Sequence, residues 1–96
     1  MAEVLGPEVV DERLAQIPGW TGIDSHLHRT YTFGDFVGAF GFMTRVALVA
    51  EKLDHHPDWS NSWNEVVINV TNHQAGGITD QCINLAAQIN KIQTTP

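Results

Sequence analysis

The stretch "GDFVGAFGFMTRVALVAEKLDHHPDW", residues 34–59, decides how the rest of this chain is read. Asp35 suits a helix N-cap, because its short side-chain oxygen can accept from the free N–H groups of a first turn. Phe36, Phe40, Met43, Ala47, Ala50 and Leu53 then recur three or four residues apart, an apolar stripe with helical spacing. Phe42, Val46 and Val49 widen that face. Gly38 and Gly41 lower helix propensity but permit close approach to a sheet. Pro57 forbids continuation and pushes His56 towards extended backbone. The spacing predicts one long helix that stops at a pair of histidines.

Working outward, "PEVVDERLAQI" at 7–17 reads as a short helix with Val10, Leu14 and Ile17 on one face, ended by "PGW" at 18–20. From Trp20 to Phe33 the pattern is two strands joined by a turn near "GIDS". In "HLHRTYTF", Leu27, Tyr31 and Phe33 alternate with His28, Thr30 and Thr32, while Arg29 interrupts the apolar side. That interruption places the hairpin at a solvated or subunit-facing position. "WNEVVINVTN" is a strand with Val66, Ile68 and Val70 on one face. "HQAGG" turns the chain, and Thr79 caps a last helix over 80–92 carrying Ile83, Ala86, Ala87, Ile89 and Ile92. A short fourth strand fits near 57–62. The expected fold is α+β: a two-layer sandwich, an antiparallel sheet of about four strands with two long helices on one face and a short N-terminal helix.

Ninety-six residues make one domain, 1–96, with a single modest core. Apolar residues are 43% of the chain and charged ones 17%, a globular rather than a disordered composition. Five Lys and Arg against eleven Asp and Glu give a net charge of −6, which argues against a nucleic-acid binder that must track phosphates. The single cysteine, Cys82, can form neither an internal disulfide nor a multi-thiolate zinc site, so a reducing, cytoplasmic compartment is expected. The first residues have no basic region and no long apolar run, so neither a secretory signal nor a membrane span is expected.

His55, His56 and His73 all fall at element junctions, where functional groups gather. Three readings stay open on spacing alone. The first is a metal cage, which adjacent imidazoles serve poorly because neighbouring side chains point apart. The second is an ordinary set of helix-end and turn residues. The third is a metal-free acid–base pocket, since imidazole titrates near neutrality. Glu51 and Asp54 stand close enough in sequence to tune such a pocket, and Trp59 and Trp63 offer flat faces for a planar heterocycle. His26 and His28 read as ordinary strand residues.

"AEKLDHHPDWSNSW", "VVINVTNH" and "GGITDQCINLAAQI" together resemble the pterin-4a-carbinolamine dehydratase family, known in animals also as a dimerisation cofactor of a homeodomain transcription factor. The "PGW" at 18–20 matches the family's early Gly-Trp, and the resemblance covers roughly residues 18–92. It implies a hydro-lyase that removes water from 4a-hydroxytetrahydropterin to give quinonoid dihydropterin, in tetrahydropterin recycling. It further implies His55, His56 and His73 as catalytic residues and Glu51, Asp54, Pro57 and Trp20 as substrate-binding positions. Neither a metal nor a cofactor is implied, because the pterin is the substrate. A homotetramer built as a dimer of dimers is implied, with no nucleic-acid or membrane partner. The alternative is a non-catalytic protein-binding or dimerisation module on the same fold. Three positions depart from the family pattern: Cys82 where Asp is usual, Asn72 for a common Thr, and Trp63 for Tyr.

Overall fold

Val66, Ile68 and Val70 are fully buried, while Val67 and Asn69 between them keep partial exposure. One face of this strand is therefore inside and the other is wet, as its alternation predicts. In the computed structural model, which describes residues 3–94, that strand lies inside a four-stranded sheet. The elements are α1 (Pro7–Leu14), β1 (Thr21–Ile23), β2 (His26–Thr32), α2 (Phe36–Leu53), β3 (Asp58–Ser62), β4 (Glu65–Val70) and α3 (Asp80–Thr94). Strand order is β1-β2-β4-β3 with every pairing antiparallel. Register sets Leu27 opposite Val70 and Tyr31 opposite Val66, and Trp59 of β3 opposite Ile68. The apolar rows of three strands thus share one face, and α2 and α3 cover it.

Leu27, Tyr31, Val66, Ile68 and Val70 from the sheet meet Ala39, Phe42, Val46 and Ala50 from α2 and Cys82, Leu85, Ala86 and Ile89 from α3 in one cluster. Phe42 is its largest fully buried side chain, and its ring sits 4.8 Å from Tyr31 and 4.9 Å from Phe33. Burying one such side chain contributes about 1.5–3 kcal/mol. Asp35 caps α2 as expected, its carboxylate accepting from the Gly38 N–H at 2.8 Å.

The α2 stripe read from spacing is corrected. Phe36 and Phe40 face outward, and the buried row is Ala39, Phe42, Val46 and Ala50, flanked by half-buried Met43, Val49 and Leu53. Both rows are apolar at helical spacing, so periodicity cannot rank them; the row that meets Tyr31 and Phe33 wins because the sheet's aromatic end accepts Phe42 there. Phe36, Val37, Phe40 and Leu48 remain exposed as an apolar outer face. The first helix is also shorter than predicted. It ends at Leu14, and i→i+3 bonds from the Gln16 and Ile17 amides tighten the chain into a turn that still buries Ile17. The last helix runs past the predicted end at 92, to Thr94.

Arg29, the residue that interrupts the apolar alternation, does not face a solvent-only surface. Its guanidinium donates to the Pro18 carbonyl at 2.7 Å and to Asn90 Oδ1 at 2.8 Å, and lies 4.1 Å from the Tyr31 ring centroid. Asn90 Oδ1 also accepts from Trp20 Nε1 at 2.9 Å and from the Tyr31 hydroxyl at 2.7 Å. This polar knot pins the C-terminal half of α3 to β2 and to the loop after α1. Gly19 sits within it at φ 90°, where a side chain is strained, and a Cβ there would collide with the Arg29 guanidinium. Gly19→Ala is therefore expected to destabilise the fold by about 1–2 kcal/mol, lowering Tm by roughly 5–10 °C in a thermal melt; an unchanged Tm would contradict this account of the knot.

Candidate active site

Helix α2 ends abruptly. Asp54 adopts the left-handed conformation (φ 51°, ψ 43°), its N–H returning to the Glu51 carbonyl, while the His55 N–H reaches back to the Ala50 carbonyl at 3.0 Å. These two bonds form the paired closure that ends many helices, usually with Gly in the left-handed place; Asp tolerates it better than most residues. The chain then becomes extended into Pro57, so the two imidazoles leave on opposite sides. His55 turns inward and is 8% exposed, whereas the His56 side chain stays largely exposed.

Strand β4 delivers the third imidazole. Beyond Val70 the chain closes a small turn in which Asn72 pairs with Gly77, and the Asn72 side-chain oxygen accepts from the Ala75 N–H at 2.8 Å. His73 projects from this turn. His55, His56 and His73 line one open cavity of about 590 Å³ together with Asp54, Thr71, Asn72, Gln74 and Gln81, a size suited to a small heterocycle.

Each of the three rings is held through Nε2. His56 Nε2 lies 2.8 Å from Glu51 Oε1, and His73 Nε2 lies 2.8 Å from Asp58 Oδ2. A carboxylate only accepts, so both nitrogens carry the proton and donate it. His55 Nε2 instead meets the Cys82 thiol at 3.4 Å, and that sulfur is 3.5 Å from Thr79 Oγ1. In all three rings Nδ1 has no hydrogen bond among the described residues, and no buried side-chain nitrogen or oxygen of theirs lacks a partner. Burial pushes the His55 pKa below the usual histidine range; positive charge on His56 and His73 adds to the lowering, and Asp54 opposes it. His55 is therefore disposed to be neutral near pH 7, a proton acceptor.

Of the other residues singled out in the sequence, Asp54 lines the cavity, and Glu51 stands at its rim through His56. Pro57 is half-buried and sets the backbone between His56 and β3. Trp20 is not brought to the cavity: its indole is buried and bonded to Asn90. Trp59 packs on the core side of β3, and Trp63 lies at the far end of that strand, 65% exposed, so neither presents a stacking face to the site. His28 Nδ1 donates to Asn69 Oδ1 at 2.7 Å on the outer face of the sheet. Among the described residues no three His, Cys, Asp or Glu side chains are grouped so as to hold a metal ion. Asp58 was missed by sequence reasoning. It reads as an ordinary exposed strand residue, and only the fold brings it to His73.

The profile of the family described as Pterin 4 alpha carbinolamine dehydratase matches residues 3–92. The chain belongs to this family. It is 48% identical over 94 residues to a protein of Afipia carboxidovorans named for pterin-4-alpha-carbinolamine dehydratase, covering 96% of this chain and 94% of that one. A relative of the same name from Prochlorococcus marinus (strain MIT 9515) is 46% identical over 89 residues, 93% of each chain. The crystal structure of a transcriptional coactivator/pterin dehydratase from Brucella melitensis superposes with a TM-score of 0.90 at 39% identity, covering 94% of this chain and 98% of that one. A pterin dehydratase-like protein described as a RuBisCO assembly factor shares the fold alone, at TM-score 0.65 and 18% identity, covering 80% of this chain and 89% of that one.

Within this dehydratase scaffold Cys82 is both core and site, fully buried and in contact with His55. Because the folded pKa of His55 lies below its unfolded value near 6.5, the unfolded chain binds its proton more readily. The contribution of neutral His55 to stability is then complete above pH 6.5 or so and is lost as pH falls through the folded pKa. Urea melts between pH 7.5 and 5.5 should show stability declining with acid in the wild type and a shallower decline in His55→Asn; equal slopes would contradict a buried neutral imidazole.

Proposed function

We propose that this site removes water from a pterin-4a-carbinolamine, with the quinonoid dihydropterin as product. The observation that carries this reading is the meeting of His55, His56 and His73 around one cavity, each anchored through Nε2 and each leaving Nδ1 unbonded. The reaction asks for little else. The lone pair of the ring nitrogen next to C4a pushes toward that carbon as the C4a–O bond breaks. An acid supplies the proton that leaves with the hydroxyl as water, and a base removes the proton from the ring nitrogen. The substrate loses one oxygen and two hydrogens, and no electrons change hands.

His55 and His73 are the acid–base pair of this scheme. His55, buried where charge is disfavoured, suits the base; His73, exposed on its turn and hydrogen-bonded to Asp58, suits the acid. His56, tied to Glu51 at the rim, binds and orients the ring, and Asp54 supplies an acceptor on the same wall. No metal or cofactor takes part. What supports this is that the extended backbone into Pro57 sends the adjacent His55 and His56 to opposite sides, an arrangement poorly suited to sharing one ion. A cytoplasmic setting accords with the single thiol and its contact with His55, which a reducing compartment preserves; no helix of the described residues is long and apolar enough to cross a membrane.

The exposed row Phe36, Val37, Phe40 and Leu48 on α2 and the uncovered edge strands β1 and β3 favour a homotetramer assembled as a dimer of dimers. The same apolar row would serve the other reading, a protein-binding module, and turnover separates the two, since such a module needs no intact histidines. In an assay of 4a-hydroxytetrahydropterin loss, His55→Ala and His73→Ala should each lower kcat by roughly 10²-fold, and His56→Ala should act mainly on KM. Activity should persist after exhaustive chelation; three alanine variants at wild-type turnover, or activity lost on chelation and restored by zinc, would overturn the assignment. Sedimentation at micromolar concentration should return four chain masses, and a single-chain mass would refute the assembly.

A further inference from the structure

We propose that Asp58, the first residue of β3, is a positioning residue that sets the orientation of His73 for the dehydration; this rests on the dehydratase reading of the site. His73 stands on a turn with 72% of its side chain exposed, so packing does little to select its rotamer. Among the described residues its ring has one hydrogen-bond partner, Asp58 Oδ2 at 2.8 Å from Nε2. That bond fixes the direction of the ring and commits Nε2–H to Asp58, so Nδ1 is the nitrogen left to carry the proton that His73 gives as the acid.

The placement of Asp58 suits support from behind. A second cavity of about 380 Å³ lies on the outer face of the sheet and shares Thr71, Asn72 and His73 with the larger one. Asp58 lines the outer cavity and not the larger one, so it touches His73 from the side away from His55. Its register partner on β4 is Asn69, whose side-chain oxygen is held by His28 Nδ1 at 2.7 Å. A polar row across the open face of the sheet, His28, Asn69 and Asp58, therefore ends at His73. Because Asp58 follows Pro57 directly, the segment that splays His55 and His56 also supplies the carboxylate for the third imidazole.

An ion pair this exposed adds little to stability, so its removal should misplace His73 without unfolding the chain. With 4a-hydroxytetrahydropterin as substrate, Asp58→Ala is expected to lower kcat about tenfold with KM and Tm nearly unchanged, the scale of a small misplacement of a reacting group. Asp58→Asn, which keeps an oxygen that can accept from Nε2–H, should recover most of the loss. In a His73→Ala background Asp58→Ala should cost nothing more, because a residue acting through His73 has nothing left to orient. No effect in the wild-type background, the same loss in both backgrounds, or Asp58→Asn no better than Asp58→Ala would overturn the proposal. If His73→Ala itself leaves turnover intact, it is the reading of the site that fails, and the proposal with it.

Discussion

The closure of α2 at Asp54 is the constraint on which the rest of the site depends. A helix that simply frayed would leave His55 and His56 free to sample the solvent. Instead two backbone bonds return to Ala50 and Glu51, the left-handed Asp54 reverses the chain, and Pro57 extends it. Three consequences come from that one geometry. His55 is driven under the sheet's end against α3, His56 is left outside within reach of Glu51, and the chain is delivered into β3 beside β4. The third imidazole then needs only the turn after β4, which emerges at the same end of the sheet.

The partners of the three rings divide them chemically. His56 and His73 each face a carboxylate, which can hold a cation and can only accept a proton. His55 faces a thiol in a buried setting that disfavours charge. The surroundings of the three rings thus differ in burial and in the identity of one neighbour. Cys82 sets a thiol rather than a carboxylate against His55, the buried member of the set.

Outside the site, the fold leaves two kinds of surface uncommitted. The outer face of α2 carries Phe36, Val37, Phe40 and Leu48, more apolar area than a helix on one sheet face requires. The strands β1 and β3 have unpaired edges, and β3 is polar along its length, with Asp58, Ser60 and Ser62 exposed. The cavity lined by the three histidines lies at the end of the sheet, apart from the outward face of α2.

Much of this protein was legible in the residues themselves. The strand alternation at 65–70, the N-cap at Asp35 and the break at Pro57 are local signals, and local signals survive in one dimension because they rest on backbone sterics and side-chain periodicity; the grouping of His55, His56 and His73 was implied only by the family resemblance. Other features depend on what packs against what. The apolar residues of α2 make two acceptable rows, and only contact with Tyr31 and Phe33 selected the one through Phe42. Trp59 and Trp63 carry the flat faces a heterocycle would use, yet the fold packs the first against the core and leaves the second beyond the far end of β3, while Trp20, implied at the pocket, is spent on Asn90. Asp58 and Cys82 gained their partners only when β3 came beside the turn after β4 and α3 came beneath His55. A hydrogen-bond partner fifteen or twenty-seven residues away leaves no periodic trace in the chain, because tertiary packing, not spacing, brings the two groups within 3.5 Å.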